Sequence, residues 1–325
     1  MIHRYLLAGV TLVGLSSTVL AGNGRNPGSL LLYPEFDSSP GTFTILTVTN
    51  VDTVETNDAI DVEFVYVDGE NCEEFNRTET LTPGDTFTCL ADAHNPNATR
   101  GYVFVFAKEF VGQPQNGDPK THNYLTGNVI TCDGFDAWEF SMNPFSFKGS
   151  PQGGEQNNGD ADLLLNGQEY SGVSQDIIIP RFFGQGQGRR SELILLDLTG
   201  GPGFSTTVDF LIWNDNEEVF SSEYTFDCWE RERLKDISGI FKNGFLKHWT
   251  NNDPDELLGA PHVETGWMHI HGHLTQDQND TVLDPAVCAV LIENLVGGDV
   301  SLGLADLPFE SGQELTNGSF RSVLN

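Results

Sequence analysis

Residues 101–106 read Gly-Tyr-Val-Phe-Val-Phe, and residues 266–271 read Gly-Trp-Met-His-Ile-His, so the same alternation follows the same glycine twice. Two more pairs of segments are related in this way: 40–43 with 202–204, and 143–149 with 307–312. The three offsets are 165, 162 and 164 residues, and the segments keep their order along the chain. A constant period is the signature of internal repetition. The sequence therefore predicts two related halves.

Most of the chain has the pattern of β-strands. Residues 42–49 and 60–67 alternate apolar or β-branched residues with polar ones, and turn residues separate such runs. This arrangement is typical of antiparallel sandwiches. The predicted fold class is all-β, with two tandem, related β-sandwich domains of the immunoglobulin-like or jelly-roll-like type. One stretch has helical spacing and predicts a short helix in the second sandwich: Leu234, Ile237, Phe241 and Phe245.

Composition suggests where the domains begin and end. We expect a signal peptide over 1–21, a first domain over 22–150, a linker over 151–190, a second domain over 191–313 and a tail over 314–325. The linker begins with a polar, glycine-rich acidic loop, as connecting segments often do. It ends with the apolar run 177–183, which we expect to dock as a strand on the edge of the second domain.

The charge of the chain restricts its partners. The 325 residues include 47 Asp and Glu against 16 Lys and Arg, which gives a formal net charge of −31. Such a surface repels phosphate backbones, so nucleic acid is not an expected partner. It favours solubility in salt and attraction of cations.

The amino terminus predicts export. His3 and Arg4 precede an apolar run over 6–15 and small residues ending at Ala21, which is the pattern of a secretory signal. No later segment has the 18 consecutive apolar residues of a membrane span. We expect a protein that is secreted, to the extracellular space, the cell surface or the periplasm.

Five cysteines in an exported chain predict disulfides, with one thiol left over. Cys228 and Cys288 are the only two in the second half and are expected to pair. Among Cys72, Cys89 and Cys132 the pairing stays open.

The sharpest candidate for chemistry is the run His269-Ile270-His271-Gly272-His273. Alternate residues of a strand project from one face, so the three imidazoles would lie in a row. Two neighbouring imidazoles with a carboxylate from the next strand could hold zinc. The competing interpretation is that this face merely packs flat rings, because Phe104 and Phe106 occupy the matching positions in the first half. We favour that interpretation and expect no catalytic metal centre here.

A second candidate is an acidic loop with the spacing of calcium ligands. Asn158, Asp160, Asp162 and Glu169 fall at positions 1, 3, 5 and 12 of such a loop. Its sixth position, where glycine allows the sharp turn, is Leu163, which favours a strand. A plain acidic loop is the preferred interpretation, and calcium is the alternative.

A third candidate is the aromatic strand with Tyr102, Phe104 and Phe106, followed by Phe110. Exposed rings on sandwiches stack on sugars. The other face of the strand is equally apolar, so we expect these rings to belong to the core.

Several segments resemble a family of exported, otherwise uncharacterised bacterial proteins with tandem β-sandwich-like repeats. They are Leu-Thr-Pro-Gly-Asp-Thr-Phe at 81–87, His-Asn-Pro-Asn at 94–97, Gly-Tyr-Val-Phe-Val-Phe-Ala-Lys at 101–108, Ile-Pro-Arg-Phe at 179–182 and Asp-Pro-Ala-Val at 284–287. The resemblance covers nearly the whole mature chain. It implies secretion and β architecture, and it brings no catalytic residue.

The sequence thus leads us to expect a secreted, non-enzymatic structural or adhesive protein of the cell surface or extracellular matrix, which contacts a surface protein or a glycan. No cofactor is required for that role. The first alternative is a metal-binding protein or metal-dependent enzyme centred on His269 and His271, and the second is a carbohydrate-binding module.

Overall fold

The computed structural model describes residues 26–54, 58–112, 117–134, 138–150, 162–186, 189–246, 264–297 and 300–321. The expected signal peptide lies outside these ranges. Within them the fold is all-β and antiparallel, as the alternation predicted. None of the described helices has the length and apolar character needed to span a bilayer.

The first half forms two sheets. Its strands are β1 (Leu30–Asp37), β2 (Thr42–Asn50), β3 (Ile60–Asp68), β4 (Glu74–Leu81), β5 (Thr86–Leu90), β6 (Arg100–Glu109), β7 (Leu125–Asp133), β8 (Trp138–Met142) and β9 (Phe145–Phe147), with a single helical turn, α1 (Ala91–His94), before β6. Sheet I has the order β4-β3-β6-β1-β9, and sheet II has the order β5-β2-β7-β8.

The second half also forms two sheets. After β10 (Asp162–Leu165) come β11 (Val173–Phe183), β12 (Arg189–Asp197), β13 (Ser205–Asn214), β14 (Val219–Asp227), β15 (Trp229–Arg233), β16 (Thr265–Gln276), β17 (Thr281–Leu283), β18 (Val287–Gly297), β19 (Val300–Asp306), β20 (Phe309–Leu315) and β21 (Gly318–Arg321). Sheet III has the order β14-β13-β16-β11-β20, and sheet IV has the order β15-β12-β18-β19. β17 pairs with β16, and β10 pairs with β21.

The strand orders of the two halves match one for one, sheet I with sheet III and sheet II with sheet IV. Two of the three repeat pairs fall on matching strands, since 101–106 lies in β6 and 266–271 in β16, and 143–149 and 307–312 contain the start of β9 and β20. The third pair does not, because Pro40 precedes β2 of sheet II whereas Pro202 precedes β13 of sheet III. The predicted domain boundaries stay a prediction.

The apolar run 177–183 does not lie at an edge. It belongs to β11, which pairs with β16 on one side and β20 on the other. Its counterpart is β1, and each strand carries a bulge where its Pro lies, between Tyr33 and Phe36 and between Ile179 and Phe182. A central position suits the strand because Ile177, Ile179 and Phe182 are buried.

The predicted helix is present in broken form. α2 (Leu234–Ile237), a 3-10 turn (Gly239–Phe241) and α3 (Asn243–Leu246) follow one another. Leu234, Ile237 and Phe241 are buried, as the spacing required, whereas Phe245 is 38% exposed.

The two halves share an apolar cluster. Ile194, Leu196, Val290 and Ile292 of sheet IV belong to the same cluster as the core of the first half. The alternate residues Leu193, Leu195, Ala289 and Leu291 face the core of the second half. Sheet IV is therefore buried on both faces.

The predicted Cys228–Cys288 disulfide is wrong. Cys72 is bonded to Cys228, with 6.3 Å between their Cα atoms, and this bond joins the two halves. Both residues have positive φ, Cys72 in the turn between the paired strands β3 and β4, and Cys228 in the connection from β14 of sheet III to β15 of sheet IV. Cys288 is a free, buried thiol in β18, one of the two middle strands of sheet IV, where it lies opposite Leu196 of β12. Cys89 and Cys132 are free as well.

Gly101 and Gly266 occupy matching positions that exclude a side chain. Gly101 has φ +155°, and an added Cβ would overlap the carbonyl oxygen of Val67; at Gly266 it would overlap that of Trp213.

We expect Gly101→Ala to lower the free energy of unfolding by about 2–5 kcal/mol, because the strand must shift. The control is Gly84→Ala. Gly84 has φ +78°, but no atom lies within 4 Å of an added Cβ, so we expect this variant to lose about 1 kcal/mol of unfolding free energy. Urea unfolding of both variants checks this, and equal losses would contradict it.

Candidate functional site

The predicted histidine row lies on the outer face of sheet III. On β16 the buried Met268 and Ile270 point into the core, so His269, His271 and His273 point outward. The flanking strands place a carboxylate on each side of His271, Asp176 on β11 and Asp209 on β13. The sequence alone predicted the shared face, whereas these neighbours depend on which strands pair.

Two of the three histidines meet at one carboxylate oxygen. Asp176 Oδ1 lies 2.9 Å from Nδ1 of His271 and 3.4 Å from Nε2 of His269. These side chains are only 20–25% exposed. The third histidine is separate, because His273 Nδ1 lies 3.1 Å from Asp209 Oδ2 and both side chains are more exposed.

His271 has a carboxylate at each ring nitrogen. Its Nε2 lies 3.2 Å from Oδ1 of Asp284, which follows β17 in a left-handed backbone conformation with φ +48°. Partial burial lowers the pKa of His271, but the hydrogen bonds and charges of Asp176 and Asp284 outweigh it and raise the pKa. When both nitrogens donate, the ring is an imidazolium. As it stands, the cluster is therefore an ion pair network.

No group of three or more His, Cys, Asp or Glu side chains within the described ranges is placed to hold a metal ion as it stands. Asn158 and Asp160 of the predicted calcium loop lie outside those ranges. Asp162 and Leu163 lie in strand β10, and Glu169 is buried, where Oε2 accepts the backbone N–H of Leu164. The calcium alternative stays a prediction, although Leu163, at the position where such a loop turns, lies in a strand.

The rings within the aromatic strand belong to the core, as expected, whereas Phe110, beyond the end of β6, is 45% exposed. Tyr102, Phe104 and Phe106 lie in β6 at the centre of sheet I and are 8%, 1% and 0% exposed. These rings cannot stack on a sugar at the surface.

A buried histidine was not recognised in the sequence. Nδ1 of His94 lies 2.8 Å from the Tyr66 hydroxyl, and its Nε2 lies 3.4 Å from Glu79 Oε1. Burial lowers the pKa of His94 and raises the pKa of nearby Cys89 to about 11. The thiol is therefore protonated at neutral pH and is no nucleophile.

A cleft of about 740 Å³ opens at the joint between the halves. One side comes from the first half, with Glu70 and Arg100, and the other from the end of β14 and from β15. The carboxylates of the second half that line it are those of Asp227, Glu230 and Glu232. Ligand sites in proteins have volumes of roughly 300–1,000 Å³. The size of the cleft thus suits a small molecule or a short chain segment.

The walls of the cleft are held in place by bonds across the joint. Beside the disulfide, the indole N–H of Trp229 donates to the carbonyl oxygen of Pro34 at 2.8 Å. Arg100 lies over the Trp229 ring, 5.2 Å from its centroid. The two walls of the cleft are therefore connected directly to each other.

One carboxylate in the cleft is perturbed. Burial raises the pKa of Glu230, and the hydrogen bond from the Tyr224 hydroxyl opposes this only in part. Its neighbours Glu232 and Asp227 add a further rise through their charges. A perturbed carboxyl in a concave site marks a candidate binding position.

Sequence reasoning missed this cleft. The sequence signal for it is the run Asp-Cys-Trp-Glu-Arg-Glu at 227–232, which combines four charged residues with a cysteine and a tryptophan.

No protein-family profile matches the chain, and no curated protein is significantly similar to it.

Proposed function

We propose that this protein is an exported, non-enzymatic structural or adhesive protein that holds a glycan in the cleft between its halves. The observation that carries the proposal is the cleft itself, a concavity of about 740 Å³ at a disulfide-bonded joint. Export is supported by that disulfide, since such bonds persist in oxidising compartments.

The lining of the cleft favours a neutral, hydroxyl-rich ligand. Carboxylates accept hydrogen bonds and do not donate them when ionised, so Glu70, Asp227, Glu230 and Glu232 offer acceptors to sugar hydroxyls. The same charges, within a net charge of −31, repel anionic polymers. Tyr224 adds a ring against which a sugar can lie.

The test is binding to a panel of neutral, amino and acidic oligosaccharides. We expect a neutral or amino oligosaccharide to bind, and the Asp227→Asn/Glu230→Gln double variant to bind it roughly 10-fold more weakly or worse, because each lost charged hydrogen bond contributes about 1.5–3 kcal/mol. Calorimetric titration measures the dissociation constants.

The matched control is Glu223→Gln. Glu223 is exposed on the same strand, β14, but does not line the cleft. This variant should bind like the parent protein. If no oligosaccharide binds the parent protein, or if Glu223→Gln weakens binding as much as the double variant does, the glycan proposal is wrong.

A further inference from the structure

The cluster of Asp176, His269 and His271 on sheet III lies apart from the cleft and takes no part in the proposed glycan binding. Imidazole nitrogens and a carboxylate oxygen are the donors that zinc takes at sites with an open position. All three side chains are largely buried by their neighbours, at 20–25% exposed, so they are held more firmly than free surface side chains.

Two of the three distances between these donors are close to those around a zinc ion. Two ligands of a tetrahedral zinc ion lie roughly 3.3 Å apart when each bond is about 2.0–2.1 Å. The oxygen of Asp176 lies 2.9 Å from the His271 nitrogen and 3.4 Å from the His269 nitrogen. In this structure the three groups are hydrogen-bonded to one another and do not surround an ion. The ion would take the place of the shared protons, with a small turn of the imidazole rings.

Asp284 supplies a second and independent observation. A metal-binding histidine commonly donates its other ring N–H to a carboxylate, which fixes the ring. His271 has this arrangement already, because its Nδ1 faces Asp176 while its Nε2 faces Asp284 at 3.2 Å. The backbone at Asp284 is held by a hydrogen bond from Asn317 Nδ2 to its carbonyl oxygen at 2.9 Å, while the Asp284 side chain is 60% exposed.

We propose that Asp176, His269 and His271 bind one zinc ion, and that Asp284 acts as a positioning residue for His271. The ion has one position left for water or for a group of a partner. The site would make the outer face of sheet III a second place at which this protein takes up a ligand.

The experiment uses the full mature chain, equilibrated with Zn²⁺ and then freed of unbound metal. We expect about one equivalent of zinc by elemental analysis, and a tetrahedral absorption spectrum when Co²⁺ replaces it. His271→Ala, His269→Ala and Asp176→Asn should each abolish the bound equivalent. Asp284→Asn should retain zinc but weaken its affinity roughly 10- to 100-fold, as loss of an outer carboxylate does.

The matched controls are His273→Ala and Asp209→Asn. This pair lies on the same face, on β16 and on the neighbouring β13, but forms a contact of its own. Both variants should bind zinc like the parent protein. If the parent binds none, or if His273→Ala loses as much zinc as His271→Ala, the proposal is wrong. Glycan titration of the same variants keeps this result separate from that of the cleft.

Discussion

Arg231→Met is expected to lower the free energy of unfolding by about 3–5 kcal/mol, because it removes the buried guanidinium that pairs with two buried carboxylates. The guanidinium donates through Nη1 to Glu35 at 2.7 Å and through Nε to Glu192 at 2.6 Å. The three side chains are 6%, 1% and 8% exposed. Urea unfolding at neutral pH measures the loss.

The matched control is Arg233→Met. Arg233 approaches the same Glu192, at 3.8 Å, but is 42% exposed. An exposed pair contributes about 0–1 kcal/mol, so this loss should be small. Adding Glu35→Gln and Glu192→Gln to Arg231→Met should recover part of the stability, because the uncompensated charges are gone. Equal losses from the two arginine variants would contradict the buried triad.

The loss caused by Arg231→Met should also depend on pH. Burial already raises the pKa of Glu35 above its usual value of 4.5, against the opposing charge of Arg231. Without the arginine the folded-state pKa rises further. A carboxyl group whose pKa is higher in the folded state than in the unfolded state destabilises the fold when the pH is above the unfolded-state pKa. This penalty is absent when the pH is below the unfolded-state pKa. The difference between variant and parent should therefore shrink as the pH falls toward about 4.5, and the part due to Glu35 should be absent below that pH.

Cys72→Ala/Cys228→Ala is expected to cost roughly 5 kcal/mol on the chain-entropy relation, because the bond closes a very long loop. The two cysteines are 156 residues apart. Denaturant unfolding measures the loss, and peptide mapping without reductant should recover the 72–228 linkage.

Cys288→Ala is the control for this pair. The thiol of Cys288 is buried and free, so only its packing is lost, at about 1 kcal/mol. A peptide map that joined Cys228 to Cys288, or a loss as large in the control as in the double variant, would contradict the pairing.

Features that depend on one strand could be predicted from the sequence. Period-2 alternation in 60–67 predicted β3, and Gly101 and Gly266 were matched correctly because both lie where a neighbouring carbonyl approaches the backbone. The match between Pro40 and Pro202 failed for the opposite reason. Pro-Gly turns suit many hairpins, so they do not identify a particular pair of strands.

Features that depend on how sheets meet could not be predicted. The partner of Cys228 is set by the contact of the β3–β4 turn of the first half with the β14–β15 connection of the second, and sequence distance favoured Cys288. The cleft gathers Glu70, Arg100 and Asp227, each an ordinary charged residue in its own segment. Likewise, the even spacing of three histidines predicted a row on one face of a strand. Only the pairing of strands shows that Asp176 lies beside two of them and Asp209 beside the third.

Burial of sheet IV on both faces bears on how such a protein can change over generations. Modules that recombination moves between genes carry complete cores and are joined by exposed linkers. Here a gene fragment ending near residue 150 would encode a product with the apolar neighbours of Ile194 and Val290 exposed to water. A fragment beginning there would expose those two side chains instead. Because either fragment alone would leave apolar surface uncovered, we expect the two halves to be inherited together.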